Sequence, residues 1–170
     1  FNLPHTLVID SRGRVLVGDR SNNRIQIFDQ DGTFIDQWTQ FGTPSGMFIA
    51  PDDTLYVVDY NVKKGVFIGS AKDGSVKYKL DDAVAEGVAV DKSGHFYIGS
   101  MELGSIQVAT AGDAEGKPFI EPDQENELVS VVGLYVDDAT DTLYACSSDA
   151  GNSPQAGTAQ AAIKAFKLPG

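Results

Sequence analysis

A chain of 170 residues with 42% hydrophobic content is long enough to bury a real core. Its formal net charge of −11 repels phosphate backbones, which sets nucleic acid aside as a partner. No apolar run reaches the ~18 residues of a membrane-spanning helix, no signal-peptide pattern stands at Phe1, and the single cysteine, Cys146, excludes an internal disulfide and leaves the compartment open.

The first predicted strand is Thr6-Leu7-Val8-Ile9, followed by the turn Asp10-Ser11-Arg12-Gly13 and the strand Val15-Leu16-Val17. A third strand, Arg24 to Phe28, alternates polar and apolar residues, and a fourth, Phe34 to Trp38, is more polar. The same order then recurs. The second copy has strands at Met47-Phe48-Ile49, Leu55 to Val58, Gly65 to Ile68 and Val76 to Leu80, with the turn Pro51-Asp52-Asp53. The third has strands at Gly87 to Val90, Phe96-Tyr97-Ile98, Ser105 to Val108 and Lys117 to Ile120, with the turn Asp91-Lys92-Ser93-Gly94 and a polar connection from Ala109 to Lys117. The fourth has Leu134-Tyr135-Val136, a longer turn from Asp137 to Asp141, Leu143-Tyr144-Ala145 and Ile163 to Phe166, and then stops. Residues 149–161 read as a long loop with at most one helical turn. The first strands are short and nearly all apolar, as strands covered on both faces are.

The residues just before the first strands are His5, Ser45, Glu86 and Val132, spaced 40, 41 and 46 residues apart. The second strands end at Asp19, Asp59, Ser100 and Ser147, which follow at offsets of 14, 14, 14 and 15. Repeats of about 40–50 residues made of short strands indicate blades of a β-propeller. The fold class is therefore all-β, a single β-propeller domain with four-stranded antiparallel blades. About four blades are present: about 3–42, 43–83, 84–127 and 128–170. Phe1 begins inside a repeat, so the chain reads as cut from something longer or processed. Closure then requires a larger ring, self-association that completes the ring, or an atypically closed ring of four; an open arc would leave apolar blade faces wet.

In such blades the start of the first strand and the end of the second share one rim. This gathers His5, Asp19 and Arg20 with Ser45, Asp59 and Tyr60, with Glu86, Ser100, Met101 and Glu102, and with Val132, Ser147, Ser148 and Asp149. A channel mouth of this kind is a natural place for a small-molecule ligand. The same aspartates also suit turns, which they tie down through backbone hydrogen bonds.

Two resemblances are carried by these residues. Leu3-Pro4-His5, Gly18-Asp19-Arg20-Ser21-Asn22-Asn23-Arg24-Ile25-Gln26-Ile27-Phe28 and Asp31-Gly32 resemble NHL-repeat propellers, especially the peptidyl-hydroxyglycine amidating lyases. Ala85 to Asp91, Phe96 to Ser100 and Val129 to Leu134 resemble the senescence-marker-protein/gluconolactonase superfamily. Both resemblances imply six-bladed rings. The first implies that His5 occupies a zinc-ligand position and Arg20 a functionally important one; the further histidines of that pattern are replaced by Ser45, Glu86 and Val132. The second implies a metal-binding role for Glu86, with calcium or another hard cation wanting several oxygens. The resulting metal set is Glu86, His5 and Asp19, for a divalent cation, calcium or zinc, and no organic cofactor. Arg20 and Asp149 are the candidate catalytic side chains. Ser45, Asp59, Tyr60, Ser100, Glu102 and Ser147 form the substrate rim. A bound metal would polarise a carbonyl and activate water, the logic of lactone hydrolysis.

Other motifs carry no chemistry. Ser147-Ser148 has no histidine near it for a triad, and Gly99 to Gly104 opens no helix. His95 lies in a turn on the opposite rim. Cys146 reads as buried packing, Arg12 and Arg14 as solvated, and Trp38 as packed between blades. Two functions follow: a metal-assisted hydrolase of lactonase type or a lyase acting on a small molecule, or a non-catalytic propeller that binds a protein or ligand. The resemblance also favours an extracytoplasmic home.

Overall fold

Apolar side chains recurring at every second position, interrupted by Asp- and Gly-containing turns, give short antiparallel strands. The computed structural model describes residues 1–81, 83, 85–100, 102–121, 128, 130–148 and 162–168. It divides into two compact units, Phe1–Asp82 and Ala83–Gly170.

The first unit holds two sheets. Blade 1 is β1 (Pro4–Ile9), β2 (Val15–Asp19), β3 (Arg24–Phe28) and β4 (Phe34–Trp38), paired in that order. Blade 2 is β5 (Pro44–Ile49), β6 (Thr54–Asp59), β7 (Gly65–Ser70) and β8 (Val76–Asp81), again in sequential order. The second unit repeats the plan. Blade 3 is β9 (Gly87–Val90), β10 (Phe96–Gly99), β11 (Ile106–Ala109) and β12 (Lys117–Ile120). Blade 4 has three strands among the described residues: β13 (Val131–Asp137), β14 (Thr142–Ser147) and β15 (Ala162–Lys167). One 3₁₀ turn, Arg20–Asn22, is the only helical piece among the described residues. The fold is thus all-β, built of antiparallel blades of β-propeller type.

The first hairpins of blades 1 and 3 close by one device. The Asp10 carboxylate accepts the backbone N–H groups of Arg12 and Arg14, and Gly13 takes φ 76° to bring its own N–H to the Asp10 carbonyl. Asp91 does the same for Ser93 and His95 in blade 3.

Between blades 1 and 2 the core gathers Leu16, Ile25, Ile27 and Trp38 from one sheet with Met47, Leu55, Val57 and Phe67 from the other. Between blades 3 and 4 it gathers Ala89, Tyr97 and Ile106 with Val131, Leu143 and Ala145. Each large side chain buried this way contributes roughly 1.5–3 kcal/mol. Trp38 packs between blades as expected.

Three expectations are corrected. β1 is not covered on both faces: Leu7 and Ile9 are exposed, because alternation turns only Val8 toward blade 2. Cys146 is exposed, because it pairs with Gly133 and Ile163 on the face of blade 4 turned away from blade 3. Arg14 is not solvated; it sits 2.7 Å from the buried carboxylate of Asp10.

Candidate functional site

Each blade has a rim end, where its first strand begins and its second ends. In blades 1, 2 and 4 the register there is broken in the same way. Pro4 pairs with Asp19 and Thr6 with Gly18, so His5 is an extra residue in β1. Ser45 is skipped between Pro44 and Gly46, and Val132 between Val131 and Gly133. Glu86 stands just before β9 and donates its backbone N–H to the Gly99 carbonyl. Such bulges bend the strand and re-aim the side chain of the extra residue.

In the first unit, His5 is exposed and its Nδ1 lies 2.7 Å from the Ser45 carbonyl oxygen. A carbonyl only accepts, so Nδ1 carries the proton in this bond. The Ser45 residue itself is buried. Arg20, in the 3₁₀ turn, sets its guanidinium 5.1 Å from the centre of the Tyr60 ring, which follows β6.

Asp19 is completely buried and fully engaged. One oxygen accepts the Asn2 backbone N–H at 2.7 Å; the other accepts Asn22 and Gln26 amides at 2.9 Å and Arg24 Nε at 2.8 Å. Burial raises its pKa, but the Asn2, Asn22 and Arg24 donors outweigh burial and hold the carboxyl at about 2. Asp59, also buried, accepts the backbone N–H groups of Asn61, Val62 and Lys63 at 2.8–3.0 Å and so shapes the loop after Tyr60.

In the second unit, Glu86 is only 4% exposed. Ser100 is buried; its hydroxyl accepts the Leu103 N–H, and its carbonyl accepts the Val131 N–H at 3.1 Å. Ser147 is buried with its Oγ 3.5 Å from the Ser130 N–H, while Glu102 is exposed. Asp149 and Met101 lie outside the described residues, as does the loop 149–161.

At the opposite end of blade 3, Asp91 Oδ2 accepts the Tyr97 hydroxyl at 3.1 Å and lies 3.0 Å from His95 Nδ1. Burial, then the Asp91 charge, pushes the Tyr97 phenol above its ordinary range. Sequence reasoning placed His95 in a turn and missed this bridge; Asp and His four residues apart around a hairpin was the available signal.

Asp19 has its oxygens occupied by four protein donors, leaving it little capacity for an ion. Among the described residues no three His, Cys, Asp or Glu side chains are gathered so as to hold a metal.

The first blade matches the NHL repeat family model over residues 1–28. Over 122 residues the chain is 34% identical to human NHL repeat-containing protein 3, a match covering 64% of this chain and 35% of that protein. The chain therefore spans about a third of that relative's length. Among solved structures, hydrazine synthase from Kuenenia stuttgartiensis superposes with a TM-score of 0.76 at 13% identity, covering 96% of this chain and 46% of that one. Virginiamycin B lyase from Staphylococcus aureus superposes at 0.62 and 15%, covering 96% and 55%. At such identities these two speak for the fold alone. The NHL part of the resemblance thus has relatives behind it: blade 1 carries an NHL repeat, in an all-β propeller chain similar to NHL repeat-containing proteins.

Proposed function

We propose that this chain is a non-catalytic binding propeller, and that the rim loops of blades 1 and 2 present a fixed surface to a protein partner. The observation that carries this reading is the commitment of the rim aspartates. Asp19 and Asp59 spend their oxygens on loop N–H groups and neighbouring side chains, which fixes the loops instead of supplying acid, base or ligand. What those loops display is Arg20 over the Tyr60 ring, and the same rim end carries the exposed His5 of β1. Tyrosine and arginine are the residues on which protein interfaces concentrate their binding energy. A guanidinium held by an aromatic face suits an acidic segment with an aromatic or carboxylate anchor.

A display library of random linear peptides panned against the chain tests this. Acidic peptides are expected, with binding weakened about tenfold by Arg20→Ala or Tyr60→Ala, a typical interface-anchor effect. Lys72→Ala, at the other end of blade 2, leaves it unchanged. Peptides that bind Arg20→Ala and wild type equally would overturn the reading.

The second reading is a metal-assisted hydrolase of lactonase type, or a lyase, acting on a small molecule. The buried Glu86 favours it, since a carboxylate withdrawn from water at the start of an inner strand suits a hard cation. Saturable calcium or zinc binding that disappears in Glu86→Gln is what it requires.

A further inference from the structure

The chain carries a net charge of −11, yet the rim end of its first unit gathers cations. Arg20, Lys63, Lys64 and Lys79 stand toward the rim ends of blades 1 and 2, where Asp19 and Asp59 are buried and committed to their loops. The second unit has the opposite sign. Glu86, Glu102 and Glu121 stand toward the rim ends of blades 3 and 4, with Lys164 the one cation there among the described residues.

Two of the first unit's cations share one place. Lys63 follows Tyr60 by three residues on the loop that Asp59 ties down, and its Nζ stands 5.5 Å from the centre of the Phe67 ring. Lys79 pairs with Phe67 across β7 and β8 and brings its own Nζ to 5.5 Å from that ring. Lys63 Nζ donates to the Gln40 carbonyl at 2.8 Å. Lys79 Nζ donates to the Lys63 carbonyl at 2.8 Å and to the Asp81 carboxylate. An ammonium has three donors, so these contacts leave donor capacity on both lysines. Asp81 answers Lys79, whereas no carboxylate among the described residues is ion-paired with Lys63. Two like charges held at one ring repel, and an anion bound between them relieves that repulsion.

We propose that the acidic segment bound at Arg20 and Tyr60 carries a second acidic side chain, roughly two to four residues from the first, which seats on Lys63 and Lys79 beside Phe67. This rests on the binding reading above and gives its partner a motif. The spacing follows from the loop, since Tyr60 and Lys63 lie at most about 11 Å apart along the chain, the reach of about three extended residues. A protein segment suits the place better than a nucleic acid strand. Two anion contacts suffice for the segment, whereas a phosphate chain running past these cations meets the carboxylate surplus of the chain.

The acidic peptides recovered by panning serve as the probe, with affinity read by fluorescence anisotropy. They should share an acidic pair at that spacing. The Lys63→Ala, Lys79→Ala double variant should bind them about tenfold more weakly. Changing the second acidic residue of the peptide to its amide should weaken binding to wild type about tenfold and binding to the double variant no further, a coupling that a general loss of positive charge does not produce. Lys72→Ala, which removes a cation at the other end of blade 2, should bind as wild type does. Circular dichroism and Tm confirm the fold, and glutamine at both lysine positions repeats the measurement with the side-chain length kept. Peptides that need Arg20 and Tyr60 yet bind the lysine variants like wild type would overturn this proposal and leave the binding reading standing, as would an equal loss from the amide peptide in both backgrounds. Recovery of no acidic peptide, or tighter binding of a random-sequence single-stranded RNA than of the peptides, would overturn both.

Discussion

Asp19 carries more of the rim than any other side chain. Its four donors come from the chain start, the 3₁₀ turn and β3, so one buried charge fixes three segments. Its folded pKa of about 2 lies below the ordinary 3.8, so the charged form is the one the fold favours. That stability is fully present above pH 4 and is lost as pH falls from about 4 through about 2, a contribution of about 2 kcal/mol. Urea unfolding at pH 5, 3 and 2 should therefore show stability falling with acid, and Asp19→Asn should be less stable at pH 5 and flatter below it. The position of Asp19 is legible in the sequence, because a strand ending in Asp before Arg-Ser-Asn-Asn reads as a tied turn. The partner of His5 is not legible: it is a backbone oxygen 40 residues away, brought near only when blade 2 docks.

At the scale of strands, β10 and β13 of neighbouring sheets approach closely at the rim. An added methyl at Gly99 of β10 would run into the Val131 side chain in β13, with Val131 Cγ1 the nearest atom and the one that alanine lacks. Gly99→Ala should cost about 1–3 kcal/mol by overpacking. In Val131→Ala the same change should cost less, a coupling of about 1 kcal/mol or more in a double-mutant cycle. Equal costs in both backgrounds would show that the seam has room to spare. The hairpins were legible because turns rich in Asp, Gly and Pro, such as Asp10 to Gly13 and Pro51 to Asp53, punctuate short apolar runs. What covers a strand was not. Leu7, Ile9 and Cys146 have the same local pattern as buried residues elsewhere in the chain, and only the neighbouring sheet decides whether they are covered.

Over the whole chain, the constant offsets between rim residues made the blades readable, since each repeat buries its faces only against another like it. The activity was not readable in the same way. An aspartate at a rim serves a turn or a cation equally well in sequence, and only its donors in space distinguish the two.

Asp19 and Asp59 spend their oxygens on loops, so the proposed binding propeller holds no cation through them, and titration calorimetry of the metal-free chain with calcium and then zinc measures this directly. The account predicts no saturable heat with either ion, in wild type or in His5→Ala and Glu86→Gln. Stoichiometric binding that disappears with His5→Ala or Glu86→Gln would contradict it.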